Sequence, residues 1–394
     1  MPATGVGGSD NNPLLPPADR QGVLPDGPPD GPPDRPPTGR RRTATRLLVA
    51  ATAAWTVFLV LLVLLAGRWW PWNIVQLIPP LTLVVVPLLL LCLVPLPARP
   101  VRRRLSIALV VLLLAGGHLA GYGPGWGTAT ASPAGTPVKV FAWSTRFWQM
   151  GDDKDAFYDF LRRQDSDVYL LQEYLYWKDD KPVRIDDSAR LRAEFPGYRV
   201  SVEGELITLS RLPVVTAHHR RAAGGEDAWY WKGTKFQRTD IRVGGRTVSF
   251  YNVHLPVPVH PGNPLKVSTY REHRNRGIWW TRELRKLRAD LAGNRHPSLV
   301  AGDFNSPWME LSSLGAGTQL HSPTGSWLPV RTWPISGFAL PRLWRLDWLF
   351  THHGLAVSSD RFDDGGEDFS DHAGQEIRVV VPDEAGSAQP THTP

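Results

Sequence analysis

The sequence has a single cysteine, Cys92, in 394 residues, and that cysteine lies inside an apolar run. No disulfide framework and no cysteine-based zinc site can form within one chain, and cysteine usage says nothing about redox compartment. Lysine is absent before Lys139. Of 44 basic and 37 acidic residues, 11 arginines and five aspartates precede residue 138, leaving 33 basic and 32 acidic residues from Lys139 onward. The basic excess behind the formal charge of +7 thus belongs to the N-terminal third. Bulk charge in the remainder gives no argument for a DNA or RNA partner.

Charge is also missing from three long runs. Residues 47–67, 74–97 and 105–121 contain no Asp, Glu, Lys or Arg. The first is about the length needed to cross ~30 Å of hydrocarbon. The second carries Pro79, Pro80 and Pro87, which kink a helix without forbidding a span, and the third is short. These runs predict three transmembrane helices. Arg40, Arg41, Arg42 and Arg46 precede the first, and Arg99, Arg102, Arg103 and Arg104 separate the second from the third. Between the first two lies only Arg68, among Trp69, Trp70 and Trp72. The positive-inside rule then places the N-terminus in the cytoplasm and everything after the third span outside the cell membrane.

Residues 1–46 read as a disordered cytoplasmic tail, rich in Pro, Gly and Asp up to residue 39. Residues 122–137 read as a Gly/Pro/Ala/Thr linker, and 382–394 as a disordered C-terminal tail. From 138 to 381 strand and helix patterns alternate. Strands are expected over 138–143, 167–172, 205–210, 247–253, 298–301, 344–350 and 376–381, with helices over 155–163 and 271–291. Many strands with few helices predict packed sheets with outer helices.

Polar residues gather where those strands end: Glu173, His254, Asp303, Asn305, Asp347, and Ser370-Asp371-His372 before the last strand. Singly, an acid at a strand end is more often a solvated turn residue and a lone histidine a hydrogen-bonded core residue. Together, acids and imidazoles suit a hard cation and a phosphate. The runs Leu171-Gln172-Glu173, Asn252-Val253-His254-Leu255, Gly302-Asp303-Phe304-Asn305, Arg345-Leu346-Asp347-Trp348-Leu349-Phe350 and Ser370-Asp371-His372 occur in that order. With Leu209-Ser210-Arg211-Leu212-Pro213, they resemble the motifs of the endonuclease/exonuclease/phosphatase superfamily over about residues 138–381.

The resemblance implies a DNase I-like four-layer α/β sandwich, two packed β-sheets with outer helices, following the three transmembrane helices. It implies a divalent metal, magnesium or manganese, held by Glu173 with Asp371. Asp303 would orient or deprotonate the attacking water, and Asn305 would bind phosphate and water. His372, partnered by Asp347, would stabilise the pentacovalent transition state, and His254 would contact the phosphate or the leaving oxygen. Ser144 stands where the family usually has Asn. Ser144, Arg211, Asn252 and Trp308 are further candidates for substrate contact.

Two substrate classes follow. A lipid-linked or cell-envelope phosphate fits the near-neutral domain and its short tether to the bilayer. A surface nuclease acting on DNA or RNA is the alternative, with Arg271, Arg274, Arg276, Arg282, Arg285, Lys286 and Arg288 of the long helix as its phosphate track. That run also reads as a solvated helix face, with Ile278, Leu284, Leu287 and Leu291 covering the sheet, or as a face for anionic lipid. Trp229-Tyr230-Trp231 can insert at a lipid interface, stack on a base or sugar, or pack as an insertion. The layout of basic tail, spans and outward domain is similar to actinobacterial membrane proteins associated with glycopeptide (teicoplanin) resistance, which implies a lipid-carrier pyrophosphate or another envelope phosphate.

Overall fold

Proline placement decides how the apolar runs fold. The computed structural model describes residues 39–122, 134–148, 153–219, 228–259, 262–311, 313–326 and 328–382. α1 (Gly39–Leu65) is unbroken and about 40 Å long at 1.5 Å per residue. It begins at Gly39, so residues 39–46 are helical and not part of a disordered tail. Residues 1–38 and 383–394 of the two expected tails, and most of the expected linker, lie outside the described residues.

The second run does not form one helix. Pro71 opens a 3-10 turn (Trp70–Leu77), Pro79 and Pro80 end it, and α2 (Thr82–Cys92) is only 11 residues long. Proline lacks the amide and clashes with the preceding turn, so α2 spans about 16 Å. α3 (Arg99–Leu119) has four arginines in its first six positions. Three helices are present where three spans were expected, but among the described residues only α1 is long and apolar enough to cross a membrane.

The three helices pack on one another through Leu48, Leu59, Leu62, Leu83, Leu105 and Leu109. Ala98 N donates to Thr45 Oγ1 at 3.1 Å, joining the start of α3 to the start of α1. Ala66, Trp72, Leu119 and Tyr122 join the opposite ends. Val57, Val60, Leu89, Ile107 and Leu114 stay exposed around the outside.

The remaining elements are β1 (Gly135–Ser144), α4 (Lys154–Arg163), β2 (Val168–Gln172), β3 (Leu175–Lys178), β4 (Lys181–Arg184), α5 (Ser188–Glu194), β5 (Arg199–Glu203), β6 (Leu206–Ser210) and β7 (Val214–His218). There follow α6 (Ala228–Trp231), β8 (Phe236–Val243), β9 (Arg246–His254), α7 (Val267–Gly293), β10 (Ser298–Asp303), β11 (Thr318–His321), β12 (Asp347–His352), β13 (Ala356–Asp363) and β14 (Gly374–Pro382). Two six-stranded sheets form, in the orders β13-β14-β1-β2-β6-β5 and β11-β12-β10-β9-β8-β7. β1 and β2 pair in parallel, as do β9 and β10, and the other pairs are antiparallel.

Alternation along the strands explains the layers. Val138, Val140 and Ala142 of β1 point between the sheets with Val168, Leu170, Phe250, Leu299 and Ala301. Phe141 and Trp143 point outward, onto Phe157, Phe160 and Leu161 of α4. On the far side Trp280, Leu284, Leu287 and Leu291 of α7 cover Tyr251, Val253 and Val300. Strands buried on both faces read as continuous apolar runs. The result is the four-layer sandwich expected from the sequence.

Candidate active site

Strand register gathers the polar residues. Asp303 ends β10 with His254 of β9 as its partner on one side and Asp347 of β12 on the other. Gly302 between them is required: a β-carbon there would lie 2.1 Å from Val253 O, and its φ of +135° suits glycine alone. In the other sheet Ser144 pairs with Gln172, so Glu173 emerges at the same end. Polar links across the sandwich fix the two sheets together. Gln172 Nε2 donates to Asn252 Oδ1 at 2.6 Å, and Asn252 Nδ2 donates to Leu171 O at 2.9 Å and Ile207 O at 3.1 Å.

Around Asp303 the geometry is nearly symmetrical. His254 Nε2 and His372 Nε2 each lie 3.7 Å from Asp303 Oδ2. Each imidazole has a buried acid behind it: Asp347 Oδ2 at 2.9 Å from His372 Nδ1, and Glu205 Oε1 at 3.4 Å from His254 Nδ1. Burial alone would lower both histidines. For His254 the charges of Glu205, Asp303 and Glu173 outweigh it and push the imidazole up to about 9. For His372, Asp347 and Asp303 push it up to about 10. Both are therefore cations at neutral pH. Burial raises Asp303 to about 7, with Asp347 adding to the rise and the two histidines opposing it.

Asn305, at φ +49°, holds that carboxylate. Its backbone amide donates to Asp303 Oδ1 at 2.7 Å, and its side-chain Nδ2 donates to Asp303 Oδ2 at 3.0 Å and Leu255 O at 2.9 Å. With both amide hydrogens engaged, Asn305 Oδ1 is left as an acceptor facing the site. Glu173, at φ +62°, accepts at Oε2 from Phe147 N at 3.0 Å, and its Oε1 is 3.8 Å from His254 Nε2. Burial raises its proton affinity; His254 opposes this, while Glu205 and Asp371 add to it.

Crowded carboxylates of this kind fit a hard divalent cation, which would relieve their repulsion and their desolvation. Asp303, Asp347 and His372 each offer a ligand atom within 4.8 Å of the others. This is a different set from the expected Glu173 and Asp371. Asp371 Oδ2 accepts from Trp333 Nε1 at 2.7 Å.

The other expected contacts fall elsewhere. Ser144 is fully buried and its Oγ has no partner among the described residues, while its carbonyl accepts from Ser370 Oγ at 2.6 Å. Asn252 is occupied by the inter-sheet bonds. Arg211 is not at the site: it pairs with Asp165 at 2.8 Å and Asp167 at 2.7 Å. β6 runs antiparallel to β2, with Ser210 opposite Val168, which places Arg211 about 20 Å from Glu173 at ~3.3 Å per residue. Trp308 is buried among the ends of the apolar helices.

Sequence reasoning missed Glu205 and Lys235. Lys235 forms a buried ion pair with Glu205, and its ammonium lies 3.6 Å from the Tyr230 ring centroid and 5.1 Å from that of Trp279. Burial would raise Glu205, but Lys235 and His254 hold it down at about 2. An acid opening an apolar strand was the only signal. Thr332 was also missed: its Oγ1 accepts from Leu346 N at 3.0 Å and Asp347 N at 3.3 Å. Arg146 stands near Ser144 with its guanidinium 5.4 Å from the Phe338 centroid.

Two sheets with paired imidazoles and acids at one end define a hydrolase of phosphoester bonds. Residues 141–372, more than half of the chain, match the Endonuclease/Exonuclease/phosphatase family, and the chain belongs to it. Among solved structures it is similar to an endonuclease/exonuclease/phosphatase from Beutenbergia cavernae at 17% identity, covering 63% of this chain and 72% of that one with a TM-score of 0.44. It is similar to TDP2 from C. elegans at 16% identity, covering 70% and 85%, TM-score 0.42. Beta toxin from Staphylococcus aureus is 14% identical over 61% of this chain and 99% of its own, TM-score 0.42. No curated protein matches.

Proposed function

We propose that this chain is a membrane-anchored, metal-dependent phosphoesterase that hydrolyses a phosphate ester or pyrophosphate on a lipid-linked or cell-envelope substrate outside the cytoplasmic membrane. The observation that carries it is the pair of imidazoles at 3.7 Å on either side of one buried carboxylate. A base between two cationic donors suits a water attacking a phosphorus whose oxygens gain charge.

Asp303 accepts the proton of the attacking water, held in orientation by Asn305. His254 and His372 donate from Nε2 to phosphoryl oxygens, kept protonated by Glu205 and Asp347. Asp303 and Asp347, which lie within reach of a shared ion, and the expected ligands Glu173 and Asp371 are the carboxylates that would hold magnesium or manganese. The ion would neutralise phosphoryl charge and polarise the bound water.

Several features support the membrane setting: the exposed apolar sides of α1–α3, the arginines at the N-terminal ends of α1 and α3, and the burial of Trp308, three residues after Asn305, in the helix cluster. Three antiparallel helices with arginine-rich starts to α1 and α3 support a cytoplasmic N-terminus. The likeness in layout to glycopeptide-resistance proteins makes a lipid-carrier pyrophosphate the first substrate to try.

The test is the full chain in proteoliposomes with magnesium or manganese, given polyprenyl pyrophosphate, phospholipid, and single- and double-stranded DNA. Asp303→Ala and His372→Ala serve as controls. Lipid phosphate release lost in both variants is the expected result. DNA cleavage without lipid turnover would replace this reading with that of a surface nuclease.

A further inference from the structure

The two halves of α7 have different surroundings. The C-terminal half lies on its sheet through Trp280, Leu284, Leu287 and Leu291, a spacing of four, three and four residues that keeps one face down. The N-terminal half meets the membrane-proximal turn. A β-carbon on Gly277 would lie 2.5 Å from Asn73 Nδ2 and 3.1 Å from Trp70 Cβ. The helix therefore crosses directly on the 3-10 turn that follows α1.

Beside that crossing, α7 presents Val267, Tyr270, Arg271, Arg274 and Ile278, which recur at helical spacing and share one face. All five are exposed. Val267 is 76% exposed, Tyr270 46% and Ile278 46%, and Leu265, just before the helix, is 91% exposed. Ile278 thus does not cover the sheet as its sequence spacing predicts. Arg271 and Arg274 form no ion pair with any described residue. An apolar patch of this kind is uncommon on a surface that meets only water. Branched and aromatic residues interleaved with arginine on one helix face fit the headgroup layer of a bilayer. Trp69, which immediately precedes that 3-10 turn, is 51% exposed as well.

We propose that the first half of α7, with Leu265 before it, is an interfacial membrane segment. Leu265, Val267, Tyr270 and Ile278 enter the headgroup layer, and Arg271 and Arg274 pair with anionic lipid phosphates. Trp279, next to Ile278, packs on Trp231 and faces Lys235, the buried partner of the Glu205 that backs His254, so the same helix would tie that side of the site to the lipid surface. The inference rests on the reading of α1–α3 as membrane-embedded.

The experiment uses the full chain in a Cys92→Ser background, with one new cysteine at a time: Leu265→Cys, Leu114→Cys in α3, or Val202→Cys in β5. Each is labelled with an environment-sensitive fluorophore and placed in nanodiscs of phosphatidylcholine and phosphatidylglycerol carrying a nitroxide at the headgroup or deep in the chain. The label at 265 should be blue-shifted and quenched by the headgroup nitroxide, at least roughly twofold above the label at 202. A label at 265 that behaves like the one at 202 overturns the proposal. If the label at 114 is quenched by the deep nitroxide while 265 stays in water, only this proposal fails; if 114 is also unquenched, the membrane reading itself fails. Adding Arg271→Glu and Arg274→Glu should cut quenching at 265 roughly twofold when phosphatidylglycerol is present. No change on adding them overturns the assignment of these arginines.

Discussion

Asp303 has two properties a proton acceptor needs, a held orientation and a proton affinity near neutrality. Burial raises it to about 7, so the fraction ionised, and with it the rate, should climb as pH rises through about 7. His254 at about 9 loses its proton before His372 at about 10, so the rate should fall above about 9, with both limbs belonging to the coupled group. A cation beside the carboxylate favours its charged form, so saturating magnesium should move the rising limb to lower pH. A rising limb that stays fixed as magnesium is varied would remove Asp303 from proton transfer. Asp303→Asn should lower kcat by about 10²–10⁴-fold with the fold intact by circular dichroism. Asp303, Asn305, Asp347 and His372 were legible because each stands in a local motif beside a strand end. Glu205 and Lys235 were not, because they meet His254 only through the pairing of β8 with β9 and the stacking of one sheet on the other. Arg211 was a candidate through the motif Leu209-Ser210-Arg211-Leu212-Pro213, yet antiparallel pairing carries that end of β6 away from Glu173.

Among the elements, β2 and β9 show how a polar residue can serve the scaffold beneath a site. Asn252→Ala would remove the bonds that link Gln172, Leu171 O and Ile207 O across the sandwich and should cost about 1–3 kcal/mol. Thermal unfolding should fall accordingly while kcat per folded molecule stays within about twofold; unchanged stability with a large loss of kcat would instead place Asn252 against substrate. The loop after β10 joins the catalytic domain to the helices. Trp308→Ala should cost about 3–5 kcal/mol as a cavity in that seam, read from thermal unfolding in detergent; a loss below about 1 kcal/mol would show that the indole supports nothing there. β1, β2, β6, β9, β10, β12 and β14 were readable because they are largely buried, apolar runs, whereas β3, β4, β5, β7, β8, β11 and β13 were not, being short or interrupted by polar residues. The break of the second apolar run was not: Pro79 and Pro80 are compatible with a kinked span in lipid, and only their tertiary surroundings show a turn and a short helix.

At the scale of the whole molecule, the loop after β10 links the catalytic centre to the apolar helices through Trp308. Exhaustive chelation should abolish turnover, and magnesium or manganese should restore it; turnover that survives chelation would exclude a cation from the site. Activity reporters fused after Pro137 should report from outside the cell, and a signal confined to the cytoplasm would invert the topology. The seam at Trp308 has a further consequence. If the helices sit in the bilayer as proposed, a catalytic centre three residues from the Trp308 indole would stay at one height over it, and its search for substrate would be confined to two dimensions. Its rate should then follow the mole fraction of substrate among the lipids rather than the amount in the tube, and diluting the substrate with inert phospholipid should slow it even when every molecule remains present.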